Sequence, residues 1–459
     1  MRSSETMSGT TDETICQRID SLPLRGVLLR VPIFCTLLMV FEGMDNNVIS
    51  YVGPLIRDEF NLSAPVLGMI YAATVVASLI GAVGVAPLSD RLGRRPVLLL
   101  SNLVMVLCTL VTPLIDTAWG LMIVRFVVGL AFGAAVPTTF ALAADFAPKK
   151  YRALLIMIVT AGVALGYVFS GFTSAAIIPH FGWRVLMFSL AAISALWAVL
   201  IYLMLPESPQ FLVRNRRNEP QTVTSLGQIG LSLDDLPADA GKVGGVAQKV
   251  SPLLLLSPTY RATTLMTLFV VCSIYAVELL MAYWLPTMLM NQGFAIGSAA
   301  SIAAIGKIAS IIGCIVIGWQ MDRRGLVTVL SIAFFCGSLA FGLLAVGFSM
   351  PLLILPSVMC MFFFVDGAFS GSQALTVTSY PPHMRATASG WITGISRLVG
   401  GGVGTLAGGA LIGAGFTMPA IAILLLAVMM VAGGMLVLLG RYRAHAWLAM
   451  GKPLEQKTA

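Results

Sequence analysis

Twelve apolar runs, each bounded by charged or turn-forming residues, constrain this chain more than any other feature. They fall at 28–51, 66–88, 96–115, 119–142, 152–177, 183–205, 260–290, 297–320, 326–349, 351–378, 387–413 and 417–440. A helix of about 20 residues rises about 30 Å, the thickness of a bilayer's hydrocarbon, so each run is long enough to cross a membrane. A transmembrane β-barrel would show short alternating segments instead. With 58% hydrophobic and 10% charged residues over 459 positions, the composition excludes a water-soluble globule. The expected fold is an all-α membrane protein of twelve transmembrane helices. The first 25 residues are polar and mixed in charge, and read as a retained tail, not a cleavable signal peptide.

Basic residues set the expected orientation. Of 28 Lys and Arg, only Arg57 and Arg184 lie in loops on one side, whereas 23 lie in segments on the other. Positive loops are retained in the cytoplasm, so both termini are expected there, in the inner membrane of a bacterium. The same retention accounts for the net charge of +8 without any nucleic-acid partner. Cys16, Cys35, Cys108, Cys272, Cys314, Cys336 and Cys360 are scattered, with no CxxC or Cys/His spacing. His180, His383 and His445 sit at separate span ends. Neither a disulfide framework nor a metal site is expected from them.

The sequence also repeats itself. After the second span comes Ala86-Pro-Leu-Ser-Asp90-Arg91-Leu-Gly93-Arg94-Arg95, echoed after the eighth by Gly318-Trp-Gln-Met-Asp322-Arg323-Arg324-Gly325. After the fourth span comes Asp145-Phe-Ala-Pro148-Lys-Lys-Tyr-Arg152-Ala153, echoed after the tenth by Tyr380-Pro-Pro382-His-Met-Arg385-Ala386. The step from Asp90 to Asp322 is nearly the same as the step from Arg152 to Arg385. Two echoes with nearly one offset imply a duplicated six-span unit. The chain then divides into a tail (1–27), a six-helix bundle (28–205), a polar linker (206–258), a second bundle (259–440) and a C-terminal tail (441–459). The linker carries the basic Arg214, Arg216 and Arg217. Parallel halves related by an axis along the membrane normal hold a solute site between them in secondary transporters.

These motifs resemble those of the major facilitator superfamily. Its loop pattern G-x-x-x-D-R-x-G-R-R is matched by APLSDRLGRR (86–95), with Ala86 in place of the opening glycine. RFVVGLAFGAAVP (125–137) resembles its fourth-span signature, and PESPQFLV (206–213) resembles the segment after its sixth span. Within the superfamily, FEGMDNN (41–47) and HMRATASGWITGISRLVGG (383–401) resemble the aromatic acid:proton symporters, with Glu42 where that branch usually carries aspartate. The resemblance runs from about residue 20 to 440. It implies two pseudo-symmetric six-helix bundles and a proton-coupled symporter that imports an aromatic carboxylate by alternating access. That acid would be benzoate-like, hydroxybenzoate-like or a larger lignin-type acid. The resemblance further implies a gating motif formed by Asp90, Arg91, Gly93, Arg94 and Arg95 with Asp322 and Arg323, whose ion pairs favour the outward-open state.

Seven ionisable residues fall inside the spans: Glu42, Asp45, Arg125, Glu278, Lys307, Asp366 and Arg397. At about 2.5–3.5 kcal/mol each they would cost on the order of 20 kcal/mol facing lipid, so they must face one another or a wet cavity. Glu42 and Asp45, three residues apart, share a helix face, and their mutual repulsion favours holding a proton. They are the proton-coupling candidates; the alternative is a carboxylate that only accepts hydrogen bonds from a neighbouring helix. An anionic substrate needs positive charge. Arg397, mid-span in the eleventh helix and also marked by the resemblance, offers a planar fork that suits a carboxylate. Arg125 is a second candidate, or else a packing and gating ion pair. Lys307, Glu278 and Asp366 are not carried over from the family pattern. Lys307 either pairs with Glu278 or Asp366, or binds a second substrate carboxylate or a phenolate. Tyr71, Tyr275, Tyr283, Trp284, Phe364 and Trp391 are candidates to flank an aromatic ring, although most such residues in a membrane protein face lipid or core.

Gly402-Val-Gly404-Thr-Leu-Ala407 fits a loose dinucleotide pattern, but it lies inside a span with no strand before it and reads as a small-residue helix contact. Gly306-Lys307 lacks the spacing of a phosphate-binding loop. With no ATPase domain and no cofactor, transport is expected to run on a proton gradient. The expected partners are a small aromatic acid, protons and membrane lipid, and the expected functional unit is a monomer. The rivals are a proton-driven exporter of drugs or metabolites with the same fold, a polytopic membrane enzyme, and a nutrient sensor without flux. The enzyme is disfavoured because no catalytic cluster gathers near the interfaces.

Overall fold

The computed structural model describes residue 15 and residues 18–216, 219–233, 251–381 and 384–449. Cys16, Arg217, Pro382 and His383, with residues 1–14, 234–250 and 450–459 of the tails and linker, lie outside the described residues, as do the side chains of Ala153, Ala386 and His445.

Among the described residues, eleven helices are long and apolar enough to cross a membrane, and there is no strand. The first group comprises α1 (Val27–Glu59), α2 (Ala64–Ile80, continued by short turns to Leu92), α3 (Arg94–Val111), α4 (Ala118–Phe146) and α5 (Lys149–Met204). Two short helices follow, α6 (Pro209–Asn215) and α7 (Pro220–Gln228). The second group comprises α8 (Arg261–Asn291), α9 (Ile296–Arg324), α10 (Leu326–Gly347), α11 (Pro351–Thr378), α12 (Arg385–Ser396), its continuation α13 (Gly402–Gly413), and α14 (Met418–Ala449). Twelve crossings are recovered because α5, at 56 residues, is two spans in one. It would be about 84 Å long if straight. Gly182, at φ 79°, breaks it into two arms, in a conformation open to glycine without strain.

The helices are apolar nearly all round because each meets other helices on one side and lipid on the other. Leu100, Ile123 and Leu339 belong to the exposed apolar belt, while Val48, Ile274 and Phe341 are fully buried. Within the first group α1 packs on α5, and α2 and α3 pack on α4; within the second, α9 and α10 pack on α11, and α14 packs on α10 and α8. The duplication is visible in backbone geometry. Gly93 (φ 107°) and Gly325 (φ 88°) end the second and eighth spans in the same left-handed conformation. Arg152 Nε donates to the Ala147 carbonyl at 3.1 Å, and its counterpart in the repeat, Arg385, donates from Nε to the Tyr380 carbonyl at 3.2 Å.

The two groups meet where α5 packs on α9, α2 on α13, and α1 on α8. Glycines bring these backbones together: a Cβ on Gly171 would lie 2.7 Å from Ala304 Cβ, and one on Gly409 would lie 2.5 Å from the Ala64 carbonyl. Both contacts sit toward the end of the molecule that holds the α1–α2 and α8–α9 connections. That end is sealed.

Candidate functional site

The first charged cluster lies inside the first group. Glu42 and Asp45 on α1 are 1% and 4% exposed, and Arg125 on α4 is 1% exposed. Asp45 Oδ1 accepts a hydrogen bond from Thr109 Oγ1 of α3. Asp45 Oδ2, both Glu42 oxygens and all three Arg125 nitrogens are buried without a hydrogen-bond partner among the described residues. Arg125 lies within electrostatic reach of Asp45, and Asp45 of Glu42. Buried charges held this loosely are expensive, so their protonation and the packing around them are tied together.

The second cluster lies inside the second group, beside Tyr167 of the first. Lys307 Nζ on α9 sits 2.8 Å from Asp366 Oδ2 on α11 and 3.6 Å from Glu278 Oε1 on α8. Lys307 thus pairs with both carboxylates at once. Arg397 stands at a change of helix type: α12 gives way to a π-helical turn over Arg397–Gly401 before α13 resumes. Such widened turns recur at functional sites because they move a side chain off the α-helical register. Behind this turn Gly404 is set close against the Ala276 backbone of α8, the small-residue contact expected of that stretch. The Arg397 guanidinium lies 6.0 Å from the centre of the Phe132 ring on α4, across the seam, and within electrostatic reach of Glu278, Tyr167, Tyr275 and Tyr283.

Aromatic side chains from both groups wall this seam. Asn46 of α1 links two of them: its Nδ2 donates to the Tyr167 hydroxyl at 3.3 Å, and the Tyr283 hydroxyl donates to its Oδ1 at 3.5 Å. Tyr283 stacks on Tyr71 with centroids 5.0 Å apart, and Tyr71 meets Trp284 edge-on at 5.3 Å. Gln373 Nε2 donates to the Tyr275 hydroxyl at 3.5 Å, and Thr393 Oγ1 donates to Gln373 Oε1 at 3.1 Å. Of the six aromatics singled out from sequence, Tyr71, Tyr283 and Trp284 gather; Tyr275 packs edge-on against Phe369, Phe364 packs on Phe363, and Trp391 is 52% exposed. Asn46, Tyr167, Gln373 and Thr393 escaped the sequence reading, which followed charges; a search for uncharged polar residues at mid-span depth would have raised them.

At the arginine-rich end, the ion pair of the loop motif is made by Arg94 with Asp145 at the end of α4, at 2.8 Å, while Asp90 and Asp322 have no salt bridge among the described residues. Ser208, which caps α6 by accepting from the Phe211 backbone N–H, also donates to Asp145 Oδ2 at 2.6 Å. The Arg94 and Arg95 backbone N–H groups donate to the Glu207 carboxylate. Gly93 is required twice over, since a Cβ there would run into the Glu207 carboxylate. Arg95 reaches the Tyr202 carbonyl, Arg91 is exposed, and Arg323 lies 4.1 Å from the Trp319 ring centre.

The Major Facilitator Superfamily family model matches residues 35–405. Among curated proteins, the chain is 31% identical to a gallate transporter of Pseudomonas putida, over 87% of this chain and 89% of that one. It is 29% identical to the 4-hydroxybenzoate transporter PcaK of Pseudomonas putida, with the same coverage, and 26% identical to a benzoate transport protein of Acinetobacter baylyi, over 83% of each chain. Among solved structures, the D-xylose-proton symporter superposes with a TM-score of 0.70 at 16% identity, covering 89% of this chain and 97% of that one. The relatives match the branch that FEGMDNN pointed to, and the likeness in fold extends across both groups of helices. This multi-pass membrane protein is a transporter, not an enzyme, and it belongs to the major facilitator superfamily.

Proposed function

We propose that the chain is a proton-coupled symporter that imports an aromatic carboxylate of the hydroxylated benzoate kind. The proposal places it in the cytoplasmic membrane as a monomer, with both termini and the arginine-rich end in the cytoplasm, as the distribution of Lys and Arg favours. The observation that carries the reading is the seam: a partly buried arginine, Arg397, among tyrosines contributed by both halves. A guanidinium suits a carboxylate, and tyrosine faces suit an aryl ring while their hydroxyls suit its substituents. Relatives named for gallate, 4-hydroxybenzoate and benzoate support that substrate class.

The proton enters the scheme at Glu42 and Asp45. Loading it there neutralises a buried carboxylate and makes the interior less negative, so that an anion can settle against Arg397. Exchange of access follows from rocking one half against the other. The glycine contacts at Gly171 and Gly409 close the outer end, and the Arg94–Asp145–Ser208 cluster holds the first half together at the inner end. The test is uptake of radiolabelled gallate, 4-hydroxybenzoate and benzoate by cells expressing the chain. Hydroxylated benzoates are expected to accumulate, and Arg397→Ala to abolish uptake. Net extrusion of these acids, or no uptake of any of them, contradicts the reading.

A further inference from the structure

Lys307, Glu278 and Asp366 form a buried group whose charges do not cancel. One ammonium faces two carboxylates, none of the three residues is more than 8% exposed, and Asp366 Oδ1 has no partner among the described residues. The rest of the Lys307 surroundings is aromatic: its Nζ lies 4.2 Å from the Phe362 ring centre and 5.5 Å from that of Tyr167. The nearest further charge is Arg397, which acts on Glu278 from the π-helical turn. Cys314 of α9 lies beside Asp366, and Tyr51 of α1 faces Lys307; neither carries charge at neutral pH by its ordinary chemistry. Tyr167 of α5 and Tyr275 and Tyr283 of α8 also face Glu278, as neutral phenols. Neither α13 nor α14 as far as Gly440, both packed on α8, contains an ionisable residue.

Empty, the seam is balanced, with Lys307 and Arg397 against Glu278 and Asp366. A substrate carboxylate on Arg397 leaves one uncompensated negative charge in a buried place, and the smallest remedy is one proton. Asp366, at 2.8 Å, keeps the charge-assisted contact with Lys307; Glu278, at 3.6 Å, is the looser partner and the one to accept the proton. We propose that Glu278 is a second proton-carrying site, in the second half of the molecule, loaded together with the substrate anion and separate from Glu42 and Asp45. The proton passes from outer water to a Glu278 carboxylate oxygen and leaves to the cytoplasm when the departing anion restores the balance. Glu278 follows Asp45 at the same offset that separates Arg385 from Arg152, so the duplicated unit carries a carboxylate at the same place in its first helix in both halves. This inference rests on the symport reading above and adds a number to it: two protons with one monoanion move one net positive charge inward.

The experiment is accumulation in proteoliposomes of whichever of gallate, 4-hydroxybenzoate and benzoate the wild-type protein carries. A fixed inward proton gradient is imposed, with and without an inside-negative potential set by potassium and valinomycin. One net charge predicts that 100 mV raises the wild-type accumulation ratio about 50-fold. Glu278→Gln is expected to respond to the pH gradient but not to the potential. A wild type indifferent to the potential, or a Glu278→Gln variant that keeps the full response, overturns the proposal. If the wild type ignores the pH gradient as well, the symport reading itself falls and this inference with it. Should Glu278→Gln not reach the membrane, the wild-type balance point decides: a potential that halts net flux against known pH and substrate gradients at the value for two protons per anion supports the proposal, and a flux that no potential halts means one proton per anion and contradicts it.

Discussion

Replacing Lys307 with methionine keeps a side chain of similar length but strips two buried carboxylates of their counter-charge. Among the described residues Lys307 is the one cation within 4 Å of either Glu278 or Asp366. Its removal leaves both acids, 8% and 7% exposed, facing one another, with Arg397 acting on Glu278 but making no salt bridge to either. Deleting one partner of a buried ion pair costs about 3–5 kcal/mol, and proton uptake by one acid offsets part of that, which points to the lower end. At about 2–4 °C per kcal/mol for a unit the size of one half, a loss of about 3 kcal/mol lowers the melting temperature of the detergent-purified protein by about 6–12 °C. The triple variant Lys307→Met, Glu278→Gln, Asp366→Asn removes every charge together and is expected to recover most of that loss, because replacing a whole buried ionic group is often close to neutral. A shift of under about 2 °C for Lys307→Met, or a triple variant that melts lower still, refutes the reasoning.

Three further outcomes follow from the packing and the charges. Gly409→Leu drives a side chain into the Ala64 carbonyl, where even a Cβ would stand at 2.5 Å, and overpacking of about 1–3 kcal/mol pushes the two groups apart at that end; faster labelling of an Ala300→Cys reporter by an impermeant thiol reagent checks it. Arg94→Ala leaves Asp145, 6% exposed, with Ser208 alone; substrate binding in detergent is expected to survive while transport falls at least tenfold. Asp45→Asn removes a buried acid of the proton-coupling pair, so gradient-driven accumulation is lost while exchange of labelled for unlabelled substrate continues, as counterflow assays can show.

The twelve crossings were legible because lipid demands long apolar helices and tolerates little else, so the pattern hardly depends on tertiary contacts. Even the joined pair was readable, since Gly182 lies next to the break between the runs at 152–177 and 183–205. The charged residues announced themselves by their cost in lipid, and the pairing of Lys307 was one of two stated options. What the sequence concealed was which charges meet. Arg125 and Asp45 lie far apart in the chain, on helices that only folding brings together, and the Arg94 partner, Asp145, was visible only as part of a repeat echo. The uncharged members of the seam, Asn46 and Tyr167 above all, carry no signal separable from ordinary helix packing until Tyr283 is placed opposite them.

Proton-driven concentration of an aromatic acid by the purified chain bears most directly on the whole account. In liposomes with acid outside and no membrane potential, labelled gallate or 4-hydroxybenzoate is expected to rise inside by at least about tenfold per pH unit, and to fall back when a protonophore is added. Equal concentrations on both sides with or without the gradient, or loss of label from preloaded vesicles under it, would contradict import by proton symport.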